Sequence, residues 1–279
     1  MMKKLDVHMH VWRLERGDYD WLSPELGPIY RDFNIDDVWA EAEAANVQRV
    51  ILVQAAGTLA ETEFMRSLAQ QDRRIAGVVG WVDLEGADAA QQIARLAEDR
   101  QIVGLRPMIA DLPQADWILD ARFTPLLDQM ARLGLVLDGH ARADLIPVKT
   151  TLAQRHPELQ IVLNHAGKPP IASGGLATWR KDLAELAACP NVTCKMSGLL
   201  TEAGTHTDDD SIGIVVEHVA DCFGPERVMW GSDWPVLTLA GTYTHWSEQS
   251  ERLIRRYFAG HEHAVCMANA ERIYLSRKG

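Results

Sequence analysis

The feature that most constrains the fold of this chain is a regular alternation of strand-like and helix-like segments. Eight short runs rich in Val, Ile and Leu each precede a segment long enough to form a helix. The predicted strands cover residues 5–11, 49–54, 75–84, 102–109, 135–141, 160–165, 192–199 and 227–230. Strict alternation excludes a β-sandwich, and eight such units predict an α/β fold, a single (β/α)8 TIM barrel.

The helical segments are indicated by apolar spacing and by turn residues. Helices are predicted over residues 35–46, 61–71 and 122–132, in an Ala-rich stretch ending near 99, before Pro157, around 183–186, and in two stretches after the last strand. Between the first strand and the first helix, residues 12–34 combine aromatic and turn residues. This segment predicts an ordered lid or wall.

A doubly wound sheet is the main competing α/β architecture. It would normally carry a Gly-rich phosphate turn after its first strand, where this chain has His8-Met9-His10. We find no linker, no low-complexity tract and no repeat beyond the strand–helix rhythm. Residues 1–279 are therefore predicted to form one domain.

Composition excludes several classes of partner. A net charge of −11 argues against nucleic acid or an anionic membrane surface. No apolar run has the length of a membrane span or the form of a signal peptide. The four cysteines form no Cys-x-x-Cys pair, which fits a reducing compartment. We expect a cytoplasmic protein that acts on a small molecule; the oligomeric state stays open, with a homodimer among the options.

The first predicted strand carries two histidines separated by one residue. Period-two alternation predicts that Asp6, His8 and His10 share one face, opposite the apolar residues between them. Neutral imidazole is the commonest metal ligand among side chains, and a His-x-His pair on a strand brings two of them to one centre. The pair therefore indicates a candidate metal site.

Polar residues recur at the ends of the later predicted strands, the edge that forms the active-site face of a TIM barrel. They are Gln54, Arg106, His140, His165, Lys195, Ser197 and Asp233. Five of them also have a structural interpretation. His140 could be a hydrogen-bonded core residue, His165 a cap on the following turn and Asp233 an N-cap or turn residue. Lys195 could simply reach solvent, and Arg106 could be structural. Four histidines and a carboxylate at one mouth favour a shared site.

Several motifs resemble those of the amidohydrolase superfamily. They are His8-x-His10, His140, His165 and the run Gly231-Ser232-Asp233-Trp234-Pro235. Further runs resemble its branch of sugar-acid lactonases: Asp18-Tyr19-x-Trp21, Val79-Gly80-Trp81-x-Asp83-Leu84, Gly104-Leu105-Arg106, His165-Ala166-Gly167-Lys168-Pro169 and Cys194-Lys195-Met196-Ser197-Gly198-Leu199. The resemblance covers essentially the whole chain and implies a hydrolase of carbohydrate metabolism that opens a sugar-acid lactone.

The resemblance also implies one divalent metal ion, zinc in the first instance, with His8, His10, His140 and Asp233 as ligands. Strand four offers Arg106 in place of the carbamylated lysine of two-metal members, so a second metal is not expected. Some lactonases of this branch are thought to work without metal. A metal-free mechanism is therefore kept as an alternative.

Lactone hydrolysis needs an activated water and stabilisation of the oxyanion that forms on the carbonyl. Asp233 is the predicted base, and His165 is predicted to contact the water or the substrate. Two cationic residues for substrate hydroxyls or a carboxylate, and two aromatic residues for the sugar ring, complete the predicted site: Arg106, Lys195, Trp81 and Trp234.

Two other functions are compatible with these residues. A metal-dependent decarboxylase of the same branch, acting on an unsaturated dicarboxylate, would use the same constellation, although the compact chain and the run over 194–199 favour a lactonase. A non-catalytic binding barrel is expected to have lost a strand-end His or Asp, and here they are present. A serine hydrolase is disfavoured because the sequence has no Gly-x-Ser-x-Gly elbow.

Overall fold

Eight parallel strands form one sheet that curves into a nearly closed barrel. The structure, a computed structural model, describes residues 2–109, 112–114, 116–139 and 142–276. Neighbours in the sheet follow chain order: β1 Lys4–Met9, β2 Val47–Val53, β3 Ile75–Gly80, β4 Ile102–Leu105, β5 Val136–Gly139, β6 Ile161–Leu163, β7 Val192–Met196 and β8 Val228–Trp230. The predicted α/β barrel is confirmed.

Helices follow the strands along the chain and cover the sheet. They are α1 Asp36–Ala44, α2 Leu59–Gln71, α3 Ala89–Glu98, α4 Thr124–Arg132, α5 Ile146–Arg155, α6 Leu176–Ala187, α7 Leu199–Ala203, α8 Asp209–Phe223 and α9 Tyr243–Tyr257, with π-helical turns at Ala264–Ala268 and Glu271–Leu275. The side chains of Thr58, Asp208 and Thr242 cap α2, α8 and α9, since each accepts a hydrogen bond from a backbone amide in the first turn of its helix. In the described part of the chain, no helix is long and apolar enough to cross a membrane.

The strands are largely apolar on both faces because both faces are covered. Their outer faces pack against the helices in one large cluster. A second cluster takes residues from seven of the strands and fills the barrel interior: Leu5, Val7, Ile51, Val53, Val79, Val103, Val136, Val162 and Met229. Ala270 and Tyr274 join it, so the C-terminal π-helical turns close one end of the barrel.

Several observed strands end earlier than the predicted ones. β4 ends at Leu105, four residues before the predicted end at 109, and β6 ends at Leu163, two residues before the predicted end at 165. His165 has a φ of 52°, which is incompatible with strand geometry. His165 and Asp233 therefore lie beyond the strands, where the backbone has left the extended conformation, whereas His8 lies within β1 and Lys195 within β7.

β1 contains an irregularity that the alternation pattern did not predict. Asp6 pairs with Val50 of β2 and Met9 pairs with Leu52. Two residues of β1 therefore lie between the paired positions, opposite one residue of β2. One extra residue in a strand reverses the alternation of side chains beyond it.

The extra residue changes which β1 side chains share a face. Asp6 points outward and accepts a 2.9 Å hydrogen bond from the hydroxyl of Tyr243 on α9, while Val7 lies in the interior cluster. The prediction that Asp6 lies on the face of His8 and His10 is therefore wrong. The two histidines themselves do converge, with 3.2 Å between their Nε2 atoms.

The barrel closes between its last and first strands through residues that follow β8. The amide of Asp233 donates to the carbonyl of His8, and the amide of His10 donates to the carbonyl of Trp234, both at 2.8 Å. Met9 and Trp234 form an isolated parallel bridge. This closure places the Asp233 carboxylate beside the two histidines.

Candidate active site

Three histidines and a carboxylate meet at the mouth of the barrel. Asp233 Oδ1 lies 3.6 Å from Nε2 of His8, 3.4 Å from Nε2 of His10 and 3.7 Å from Nε2 of His165. All four side chains are buried. The structure thus brings together four of the site residues predicted from the sequence, whereas His140 lies outside the described residues.

Left-handed backbone presents two of these residues. Asp233 has a φ of 63°, and four consecutive residues after β6, His165, Ala166, Gly167 and Lys168, have φ values of 52°, 49°, 74° and 55°. Each non-glycine residue in this conformation costs roughly 1–2 kcal/mol, a cost typical of functional sites. The resulting left-handed turn brings His165 and Lys168 to the same cavity.

Gly198 makes room for the His165 ring. A Cβ at Gly198 would lie 2.7 Å from Nδ1 of His165 and 3.2 Å from Oδ2 of Asp233, and its φ is 60°. Both the close approach and the left-handed backbone require glycine here. The hydroxyl of Ser197 lies 2.9 Å from the same Nδ1, so the end of β7 sets the orientation of the ring.

Burial and neighbouring groups set the protonation of the cluster. Burial alone would raise the pKa of Asp233, but His165 and His10 outweigh it, and the pKa lies below its usual value. Burial lowers the pKa of His165 to about 4, although the Asp233 carboxylate opposes this shift. Burial, followed by the charge of Lys195, holds the pKa of His8 well below its usual value. At neutral pH an ionised carboxylate therefore faces the neutral imidazoles of His8 and His165.

His8, His10 and Asp233 could hold a metal ion, since their ligand atoms all lie within 4.8 Å of one another. A tetrahedral zinc site with bonds of about 2.0–2.1 Å keeps its ligand atoms about 3.4 Å apart, and the separations here are 3.2, 3.4 and 3.6 Å. His10 Nδ1 lies 2.7 Å from the Val53 carbonyl oxygen, so Nδ1 carries the proton and the Nε2 lone pair faces the cluster. The spacing of the three groups fits one divalent ion.

Lys195, predicted to contact substrate, lies fully buried beneath the cluster. Its Nζ is 2.8 Å from Oδ2 of Asp138, which also accepts from the Tyr274 hydroxyl, and 3.2 Å from Nδ1 of His8. An ammonium group only donates, so a charged Lys195 places the proton of neutral His8 on Nε2, toward His10. If a metal ion binds Nε2 of His8, the proton of this neutral imidazole must lie on Nδ1, toward Lys195. Lys195 must then be uncharged, so that its lone pair accepts that proton in a hydrogen bond, or it must move away.

The cluster opens into a cavity of about 250 Å³. This volume lies just below the usual range for drug-sized ligands and suits a small metabolite. Its lining combines polar and apolar side chains: His10, Arg106, His165, Lys168 and Asp233 on the one hand, and Trp21, Ala55, Met108 and Val236 on the other. Arg106 is fixed by a donated hydrogen bond to the Gln54 carbonyl, and Gln54 Nε2 donates back to the Arg106 carbonyl at 2.9 Å.

The two tryptophans predicted to contact a sugar ring are not among the described residues that line this cavity. Trp234 is buried against Phe33, with ring centroids 5.2 Å apart, and Trp81 is half-buried. Trp21 and Lys168 line the cavity instead. Both belong to motifs visible in the sequence, Asp18-Tyr19-x-Trp21 and His165-Ala166-Gly167-Lys168-Pro169, but no role was predicted for either residue.

The sequence matches the Amidohydrolase family over residues 5–275, and the chain belongs to that family. It is 41% identical to an L-fucono-1,5-lactonase of Burkholderia ambifaria over 260 residues, covering 92% of this chain and 90% of that protein. An L-fucono-1,5-lactonase of Burkholderia multivorans is 35% identical over 285 residues, 97% of this chain and 95% of that protein.

A solved structure extends the likeness to three dimensions. An amidohydrolase from Burkholderia multivorans with bound zinc superposes with a TM-score of 0.91 at 34% identity, over 98% of this chain and 99% of that chain. The predicted resemblance to the sugar-acid lactonases of this family is therefore confirmed. Two of the relatives are lactonases, which favours the predicted hydrolase over the decarboxylase alternative.

Proposed function

We propose that this chain hydrolyses the cyclic ester of a sugar-acid lactone, with L-fucono-1,5-lactone as the first substrate to test. The observation that carries the proposal is the Asp233 carboxylate, which lies within 3.7 Å of three imidazoles at the edge of a small cavity. The lactonase names of two relatives direct the choice of substrate.

In this proposal Asp233 is the general base. It takes a proton from a water whose oxygen then bonds to the lactone carbonyl carbon. The bond from that carbon to the ring oxygen breaks, and the ring oxygen leaves as a hydroxyl group with the transferred proton. A Ser197 hydroxyl that donates to His165 Nδ1 leaves the His165 proton on Nε2, where it stabilises the oxyanion.

Two cationic residues differ in their place around this chemistry. Arg106 lines the cavity, which supports its predicted role in binding substrate oxygens. Lys195 is fully buried and contacts His8, which supports a positioning role for it. Trp234 packs behind the site against Phe33 and is proposed to hold the residue before it, Asp233, in place.

We also infer that one divalent ion, zinc in the first instance, binds His8, His10 and Asp233, with His140 as the further predicted ligand. When bound, such an ion polarises a carbonyl or lowers the pKa of a water. The spacing of the three groups and the zinc in the Burkholderia multivorans amidohydrolase support this inference. The metal-free alternative is supported by the chain of contacts from Lys195 through His8 to His10, in which each nitrogen has a hydrogen-bond partner without a metal ion.

A panel of 1,5- and 1,4-lactones of six-carbon sugar acids tests the proposed function. Ring opening releases a proton at neutral pH, so a pH indicator follows the reaction directly. We expect turnover well above the spontaneous rate for at least one 1,5-lactone. No turnover with any member of the panel would contradict the proposal.

The metal inference is tested separately by elemental analysis of protein purified without chelator. We expect about one equivalent of zinc, as a single mixed imidazole and carboxylate site requires. Less than about a tenth of an equivalent, together with activity that survives a chelator, would establish the metal-free mechanism.

A further inference from the structure

Trp21 is an exposed aromatic side chain that is nevertheless held in one position at the cavity. It is 41% exposed, yet its Nε1 donates to the Ala55 carbonyl oxygen at 2.7 Å. Its ring packs edge-on against buried Trp12, with centroids 5.5 Å apart. An exposed aromatic face that lines a cavity and is fixed in this way is a contact surface for the apolar face of a ligand.

A buried carboxylate, Glu61, fixes Trp21 through two routes. Glu61 Oε1 accepts the Ala55 amide at 3.2 Å, and Oε2 accepts the Tyr19 hydroxyl at 2.7 Å. Ala55 is the residue that accepts from Trp21, and Tyr19 precedes Trp21 by two residues. The contacts therefore form a closed ring that holds the loop after β1 as a wall of the cavity.

The lining of the cavity matches the two kinds of surface on a sugar lactone. Such a lactone exposes ring C–H groups on its faces and oxygens around its edge. The reacting carboxylate and imidazoles supply polar partners for the edge, and Trp21 is the tryptophan among the apolar side chains of the lining, beside Ala55, Met108 and Val236. We propose that Trp21 is the platform against which the lactone ring packs, and that it selects cyclic substrates over open-chain esters. This inference rests on the proposed function.

The inference predicts a loss of binding rather than of chemistry. Trp21→Ala removes one aromatic contact face and should raise KM for the lactone about tenfold, with kcat nearly unchanged. Trp21→Phe keeps a ring but loses the hydrogen bond to Ala55, so its KM should rise less. Glu61→Gln cannot accept both hydrogen bonds, and a smaller rise in KM is expected from the loosened wall.

Two matched variants control for loss of an aromatic side chain elsewhere. Tyr30 lies in the same loop and is 40% exposed, but it does not line the cavity; Tyr30→Ala should leave KM unchanged. Trp81→Ala tests the residue predicted from the sequence. The methyl ester of the same sugar acid is the open-chain substrate, and its KM should not respond to Trp21→Ala.

Calorimetry provides a direct measurement of binding. In an Asp233→Asn background hydrolysis should be slow enough for binding of the lactone to be measured, and adding Trp21→Ala should raise Kd about tenfold. An unchanged Kd and KM in Trp21→Ala, or a rise seen in Trp81→Ala instead, would overturn the inference and leave the proposed function standing. Failure of the wild-type protein to open any lactone would overturn both. If Trp21→Ala does not fold, Trp21→Phe and Glu61→Gln decide by the same criteria.

Discussion

The barrel interior contains two layers of opposite character. Toward the C-terminal π-helical turns, apolar side chains from seven strands pack together and around the ring of Tyr274. Toward the mouth, the buried side chains are charged or polar, among them His8, Asp138 and Lys195. On β5 a single residue separates the layers, since Val136 belongs to the first and Asp138 to the second.

The difference between the layers lies in how specific their contacts are. Apolar packing is non-directional and tolerates exchange of similar side chains. A buried charge instead depends on one particular partner, and removal of that partner is costly. Substitutions in the apolar layer should therefore change stability alone, whereas those in the polar layer should change the rate, the stability or both.

The largest expected effect comes from the carboxylate that faces the cavity. Asp233→Asn keeps the shape and removes the base, so kcat should fall about 10²–10⁴-fold. The melting temperature should change little, because the amide occupies the same space. Steady-state kinetics and thermal unfolding measure the two quantities. A variant that keeps its kcat and only raises KM would make Asp233 a positioning residue, with His165 the next candidate for the base.

The next effect concerns the buried ion pair beneath the cluster. Lys195→Met leaves the Asp138 carboxylate buried without its cation and should lower the free energy of unfolding by about 3–5 kcal/mol. Replacing both partners, Lys195→Met with Asp138→Leu, should recover part of this loss. Urea unfolding followed by circular dichroism makes the comparison. Equal stability of the single and double variants would show that the loss does not come from the Asp138 carboxylate left without its cation.

A smaller effect is expected in the pH dependence of kcat. The reaction needs the ionised form of Asp233, which exists above its pKa and is lost as the pH falls through it. Because that pKa lies below its usual value of 3.8, kcat should stay constant down to about pH 5 and fall about tenfold per unit well below pH 4. The pKa of Glu61 is raised by burial to about 7. A loss of kcat near pH 7 that Glu61→Gln abolishes would instead assign the dependence to the Trp21 wall.

The smallest effect is expected in the apolar layer. Ile51→Val removes one methylene from the barrel interior and should cost about 0.5–1.5 kcal/mol in the free energy of unfolding. Its kcat and KM should equal those of the wild type, since no polar contact changes. A loss of activity in this variant would show that the two layers are mechanically coupled.

The order of strands and helices could be predicted because it depends on local periodicity. The β2 run is apolar over most of its length, and the apolar spacing of α2 is helical. The ends of the strands could not be predicted, because they depend on contacts between distant residues. The extra residue in β1 is the clearest case: Asp6 accepts from the amide of Ser232, which lies 226 residues further along the chain.

The candidate site shows the same division. His8, His10, His165 and Asp233 could be found because strand ends converge in any such barrel. The side chain of Lys195 also starts from a strand, but its direction depends on Asp138, which no local pattern relates to it. Trp21 lies in an irregular loop, where composition predicts a wall without indicating which side chain faces the cavity.

The seam of the barrel has a consequence for how the protein is made. Lys4 on β1 donates to Ser247 at 3.1 Å and to Glu251 at 2.6 Å, both on α9, and Tyr274 completes the interior beside Asp138. During synthesis the first strand therefore emerges from the ribosome long before its partners exist. Contacts between such distant residues form slowly and leave sheet edges exposed meanwhile. A nascent chain in which Tyr274 has not yet been made should hold no finished pocket, so catalytic competence is acquired only after the segment around Tyr274 has packed into the barrel.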